Sequence, residues 1–323
     1  MRITGRQLVM PVLLLLQLAG TAAVQHSEWS HTTQLICTWA AFFVVLVTGI
    51  RHGQRQRKEA IAARNARNEQ KISEMQTLLE GLKRNSICLS PIAVHTDREP
   101  LPTTISKYGG QPDLPADYEW PRDNTGRPLS LLLQIDCAAL AACDQEQLFP
   151  TTGHLYFFYE LSDMEWDNRN RVAQVFYNDV PSQALHPVPF PDDLPEACRI
   201  AEHALHFSAR ESIPGWDDLF QMGLYHYVTD LDAYEEATRR MKLPPVGNVL
   251  GTLSGYADII QSSLLTDTPE EDILLLQLFS TFEDDGIGSP LMFGDCGNIY
   301  FYITRRQLAE RDFSQVRFEL QCY

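Results

Sequence analysis

Two apolar stretches without a charged residue open the chain. The first runs from Gln7 to Ser27, with its apolar part at Leu8–Val24, interrupted by Pro11 and Gln17. The second runs from Trp29 to Ile50, with Leu35–Ile50 as its core. A helix needs roughly 20 residues to cross a bilayer, so the second stretch qualifies as a span. The first reads equally as a span or as a signal peptide: Arg2 and Arg6 form a basic start, Leu8–Leu18 an apolar centre and Ala19–Ala23 a small-residue end. Residues 1–55 are therefore read as a membrane segment of one or two transmembrane helices. Residues 56–90 follow as a polar helical linker, in which Ile72, Met75, Leu79 and Leu82 make one apolar stripe, and Gly81 weakens its end. That stripe is a spacer or a self-association stalk within 56–84.

Beyond Pro91 the apolar runs shorten, and a soluble domain is expected over 91–323. Leu129–Asp136, Gly153–Leu161 and Arg171–Tyr177 read as strands, as do Ile273–Leu278, Asn298–Ile303 and Val316–Cys322. Leu194–Leu205 and Leu231–Met241 read as helices, the second capped by Asp230. Thr304 with Gln307 forms a capping box for a short helix. The strands recur: L-L-L-Q-I at 131–135 matches L-L-L-Q-L at 274–278, and G-H-L-Y-F-F-Y at 153–159 matches G-N-I-Y-F-Y-I at 297–303. The offsets are 143 residues for Gln134 to Gln277, 144 for Tyr156 to Tyr300 and 146 for Tyr177 to Tyr323. The expected fold is α+β, with duplicated antiparallel β meanders and covering helices from the 190–265 insert, preceded by one or two transmembrane helices.

Charge divides the chain the same way. Residues 1–95 carry eleven Lys/Arg and five Asp/Glu; residues 96–323 carry fifteen and thirty-seven, a balance of −22 within a total of −16. Such a surface repels phosphate backbones, which argues against nucleic acid, and it serves either solubility alone or recognition of a basic protein partner. Arg51, Arg55, Arg57 and Lys58 directly follow the second apolar stretch, which by the positive-inside rule puts that side in the cytoplasm. The expected location is the inner membrane, held in the bilayer through residues 8–50, with the soluble domain facing the cytoplasm. The seven cysteines, Cys37, Cys88, Cys137, Cys143, Cys198, Cys296 and Cys322, include no C-x-x-C and read as reduced thiols.

An ordered set of segments resembles a known family. It comprises S-K-Y-G-G-Q-P-D-L-P at 106–115, W-P at 120–121, P-L-S-L-L-L-Q-I-D at 128–136, G-Y-A-D-I-I-Q at 255–261, L-L-L-Q-L at 274–278, G-D-C-G-N-I-Y-F-Y-I at 294–303 and the closing R-D-F-S-Q-V-R-F-E-L-Q-C-Y at 311–323. From about Thr103 to Tyr323 the chain resembles the bacterial YwqG-like family, a domain of unknown function. The resemblance implies an α+β fold with a duplicated sheet and names no reaction. It also implies a link, by context, to immunity proteins that neutralise toxins. The family often has a His four residues before the Gly of the G-Y segment; here that position is Gly251.

The candidate binding residues follow from local chemistry. Gly109 and Gly110 beside Lys107 allow close backbone approach to a ligand, or a tight turn. Glu283, Asp284 and Asp285 with Asp295 cluster carboxylates, without the alternating spacing of a calcium loop, and read as a solvated loop. Gln134 and Gln277 sit in apolar strands and need hydrogen-bond partners, either loop backbone or a central groove. Gln261 closes the G-Y-A-D-I-I-Q segment. His203 and His206, three apart on the expected helix near Glu202 and Cys198, lack metal-site spacing, so no metal is expected. No catalytic constellation and no cofactor motif occurs. A binding module is favoured; an enzyme with a groove between the repeats is the alternative.

Overall fold

The computed structural model describes residues 31–92, 101–244, 249–282 and 290–323. The apolar stretch Leu8–Val24 and the acidic run Glu283–Asp285 lie outside these. The chain divides into two compact units, the second covering Ile72–Tyr323.

Helix α1 runs from His31 to Gly81. Its first twenty residues, His31 to Ile50, are uncharged and span about 30 Å, the thickness of a bilayer's hydrocarbon core. Leu35, Ile36, Trp39, Phe42, Phe43, Val44, Leu46 and Ile50 are all exposed there. The helix is long and apolar enough to cross a membrane. Its final turns change character: Met75 and Leu79 are buried against Leu219 and Ala237.

The second unit is α+β. Its elements run β1 (Arg84–Pro91), β2 (Lys107–Tyr108), β3 (Asp113–Pro115), β4 (Ser130–Asp136), α2 (Cys137–Leu140), β5 (His154–Tyr159), β6 (Ala173–Asn178), β7 (Leu185–Pro187) and β8 (His203–Ser212). Then follow α3 (Trp216–Gln221), α4 (Leu231–Met241), β9 (Gly251–Leu253), β10 (Asp272–Phe279), β11 (Asn298–Thr304), α5 (Arg305–Glu310) and β12 (Arg317–Gln321). Ten strands form one sheet in the order β12-β11-β10-β9-β1-β8-β2-β4-β5-β6, and β3 pairs with β7 apart from it. All the pairings within the large sheet are antiparallel.

The six strands expected around the two L-L-L-Q segments are present, as are the Asp230 cap of α4 and the Thr304–Gln307 capping box of α5. The L-L-L runs are continuous for two reasons. Both faces of β4 and β10 are covered, and each strand carries a register shift, between Leu131 and Leu133 and between Leu274 and Leu276. An extra residue at such a bulge lets neighbouring leucines serve one face. Leu132 and Leu133 thus share the main core, while Leu131 packs outward with Leu129, Tyr156 and Phe158. Likewise Leu275 and Leu276 join the main core, and Leu274 packs with Tyr300 and Tyr302.

The outer strands of the sheet turn toward each other around that core. Phe157 on β5 meets Phe301 on β11 edge to face at 5.5 Å, and Tyr159 meets Phe318 at 4.7 Å. Full burial of such a side chain contributes about 1.5–3 kcal/mol, and a well-oriented ring pair about 0.5–1.5 more. The Leu320 amide donates to the Trp166 carbonyl at 2.9 Å, tying β12 to the loop before β6.

One expected helix is corrected. Leu194–Leu205 holds only a short 3-10 turn, Glu196–Cys198, and then enters β8. His203, Leu205 and Phe207 alternate inward at the period of a strand, and β8 pairs along its length with β1. His203 and His206, an odd number of residues apart on β8, therefore lie on opposite faces. β1, which the apolar pattern did not reveal, sits at the centre of the sheet between β8 and β9. Helices α3 and α4 pack against the end of α1.

Candidate functional site

Two polar clusters occupy corresponding ladder positions. On β4, Gln134 lies opposite Lys107 of β2 and Tyr156 of β5. On β10, Gln277 lies opposite Thr252 of β9 and Tyr300 of β11. Each glutamine is buried, and each fastens the loop that follows the short strand. The Gln134 side-chain carbonyl accepts from the Asp113 amide at 2.7 Å; that of Gln277 accepts from the Asp258 amide at 2.9 Å. The Tyr156 hydroxyl donates to the Asp113 carbonyl at 2.6 Å, and the Tyr300 hydroxyl to the Asp258 carbonyl at 2.8 Å. Burial pushes both phenols well above the ordinary tyrosine range, which keeps them protonated donors. The glutamines therefore hold loop backbone, the structural role open to a polar side chain inside an apolar strand.

The clusters differ in charge. In the first, the Asp113 carboxylate turns inward and accepts from the Gln134 amide at 2.7 Å and the Thr104 amide at 2.9 Å. The Lys107 ammonium lies 3.3 Å from Asp113 and 3.0 Å from Glu202, and is almost fully buried. A buried ammonium between two carboxylates is compensated; removing one partner strands a charge. Gly109 and Gly110 follow at φ +66° and +73°. A Cβ on Gly109 would strike Ile200 and Ala201, and one on Gly110 would strike Glu202. The two glycines thus admit the protein's own 200–202 segment.

The remaining predicted residues are dispersed. Gln261 donates from its side chain to the Cys322 carbonyl at 2.7 Å, and its amide donates to Gln321 at 3.0 Å. Asp295 is exposed, and its carbonyl accepts from the Tyr323 amide. Sequence reasoning misses Asp113, Asp258 and the wholly buried Gln321, and names Glu202 only as a neighbour of His203 and His206. A readable signal existed for the aspartates: both end a Gly-x-x-Asp step, at 110–113 and 255–258.

Gly251, where the resemblance leads one to expect histidine, is tightly packed. A Cβ there would fall well inside the van der Waals envelope of the Gln277 carbonyl oxygen. A cavity of about 830 Å³ opens between β6 and β12, lined by Arg171, Gln174, Tyr302, Arg317 and Glu319 among others. Arg317 is engaged there: it pairs with Asp272 at 2.6 Å and lies over the Tyr302 ring at 5.2 Å. Among the described residues, no three His, Cys, Asp or Glu side chains come together as a metal centre.

The fold and these clusters define an α+β domain with a strongly acidic composition. The chain belongs to the family of the domain of unknown function DUF1963, whose model matches residues 106–322. That span agrees with the YwqG-like resemblance from Thr103 onward. No curated protein matches the chain.

Proposed function

We propose that this is a membrane-anchored binding protein that presents its acidic domain at the cytoplasmic face. In this reading residues 1–55 hold the bilayer, the helical part of 56–90 connects, and the domain, which takes in β1 from Arg84 onward, recognises a basic protein partner, in the manner of an immunity protein. The domain is built of two equivalent β meanders, β4-β5-β6 and β10-β11-β12. Matched bulges and the paired Gln134–Tyr156 and Gln277–Tyr300 networks support that equivalence. The observation that carries the anchoring is the row of exposed apolar side chains from Leu35 to Ile50, followed at once by four basic residues.

The partner's chemistry follows from charge. A balance of −22 over 96–323 steers a basic protein toward the domain, and such steering is screened over about 8 Å at physiological salt. Purification from detergent-solubilised membranes supplies the partner. Its association rate should fall as ionic strength rises, while dissociation changes less. Reversing Glu283, Asp284 and Asp285 together should slow association further without unfolding the domain. An association rate indifferent to salt would remove the electrostatic reading. The 830 Å³ cavity between β6 and β12 then favours the second reading, an enzyme with its groove between the two meanders.

A further inference from the structure

The difference between the two polar clusters has a chemical meaning. Position by position, Thr252 stands where Lys107 stands, each opposite its glutamine. Asp258 stands where Asp113 stands, each with its amide on that glutamine and its carbonyl on a tyrosine. Ser86 stands where Glu202 stands: Lys107 pairs with Ala204 and Thr252 with Cys88, and Glu202 and Ser86 each lie two residues further along. The glycines agree, since a Cβ on Gly110 would strike Glu202 and one on Gly255 would strike Ser86. The first cluster is thus filled by its own lysine. In the second, a threonine and a serine replace the lysine and the glutamate, and a cavity of about 250 Å³ occupies the space.

That cavity is lined by Thr252, Ser86, Asp258 and Arg210, with Ile213, Leu243 and Phe279 as apolar wall. Among the described residues, the Asp258 carboxylate makes no hydrogen bond and no ion pair, and Arg210 has no ion-pair partner. The surrounding protein disfavours the charged carboxylate and raises its pKa, with the Arg210 charge opposing. Asp258, an exposed residue, and the half-buried Arg210 bring opposite charges to one small cavity. A bare ammonium would satisfy Asp258 and be repelled by Arg210. A bare carboxylate would do the reverse. The volume lies below the roughly 300–1,000 Å³ of drug-sized pockets, which suits a ligand of a few heavy atoms.

We infer that this cavity binds a small zwitterion of the free amino-acid class, its ammonium on Asp258 and its carboxylate on Arg210. The apolar wall takes an aliphatic side chain. The inference rests on the two meanders being equivalent halves, and its failure would leave the membrane anchoring untouched.

The test uses the full chain in detergent and L-leucine as the probe, with binding read by equilibrium dialysis of the labelled amino acid. Saturable binding with a Kd between about 1 μM and 1 mM is expected. Asp258→Asn and Arg210→Gln should each weaken it by about tenfold or more. Neither carboxylate nor guanidinium holds the fold, because the network is anchored through the Asp258 backbone. Thr252→Lys should abolish binding by supplying the ammonium internally, as Lys107 does, with a circular-dichroism melt confirming a folded chain. If that variant does not fold, Asp258→Asn alone decides. Absence of saturable leucine binding, or binding unchanged by Asp258→Asn, overturns the assignment.

Discussion

Gly251→Ala is expected to cost the domain at least about 3 kcal/mol, a large part of the roughly 5–15 kcal/mol that holds an ordinary domain together. Gly251 opens β9, a three-residue strand that bridges β1 and β10 and so joins one meander to the centre of the sheet. Its amide-bearing backbone passes so close to Gln277 that even a methyl group collides with the carbonyl oxygen and with Leu278. The Leu278 side chain can shift, but the nearest atoms belong to the Gln277 backbone, which has no rotamer to yield. Relief requires β9 to part from β10, and with it the Gln277 contacts to the Asp258 loop. Gly215→Ala is the control. A Cβ there meets its nearest neighbour at an ordinary 3.5 Å, and its backbone has no positive φ. Denaturant unfolding should show the control within about 1 kcal/mol of the parent and Gly251→Ala far below it. Equal midpoints for the two variants would contradict the packing described for β9.

Deleting residues 1–58 is expected to move the protein from the membrane fraction to the soluble fraction completely. The eight large apolar side chains between Leu35 and Ile50 are each about half exposed or more. In water that surface costs roughly 25 cal/mol for each Å² left uncovered, whereas a bilayer covers all of it. Most apolar side chains of the remaining described residues lie in the domain's own core, as Phe157, Phe301, Leu133 and Leu276 illustrate, and those left exposed, such as Trp166 and Phe220, form no run comparable to Leu35–Ile50. The final turns of α1 survive the deletion, so Met75 and Leu79 still pack on Leu219 and Ala237. Ultracentrifugation after a high-salt wash reads the outcome. Pelleting of the shortened chain would reveal a second anchor and sink the assignment of 1–55 as the membrane segment.

Much of this architecture was legible because its strands are long and apolar. β4, β5, β10 and β11 are buried on both faces, so their runs of leucine and aromatic residues stand out against polar loops. Capping residues such as Asp230 and Thr304 act within one turn, and local chemistry is enough to read them. β2 and β9 escaped because two or three residues carry no periodicity. β1 escaped because it follows a long polar helix after only two residues, Leu82 and Lys83, and draws its order from β8 and β9. The start of β8 reads as helix because Leu194, Cys198, Ala201 and Leu205 fall at helical spacing, whereas the inward alternation of His203, Leu205 and Phe207 and the pairing with β1 make it a strand. The clusters around Asp113 and Asp258 were half legible. Gln134 and Gln277 are conspicuous in apolar runs, but their aspartate partners lie about twenty residues away, and only the folded sheet brings them together.

The most direct test of the account is the side of the membrane on which the domain lies. Arg51, Arg55, Arg57 and Lys58 follow the apolar half of α1 and should hold that end in the cytoplasm. A phosphatase reporter that is active only outside the cytoplasm, fused after Tyr323 in the full chain, should give a stable but silent fusion. A fluorescent reporter that matures only in the cytoplasm, fused at the same residue, should be bright. An active phosphatase with a dark fluorescent fusion would place the acidic domain on the opposite side and contradict the account.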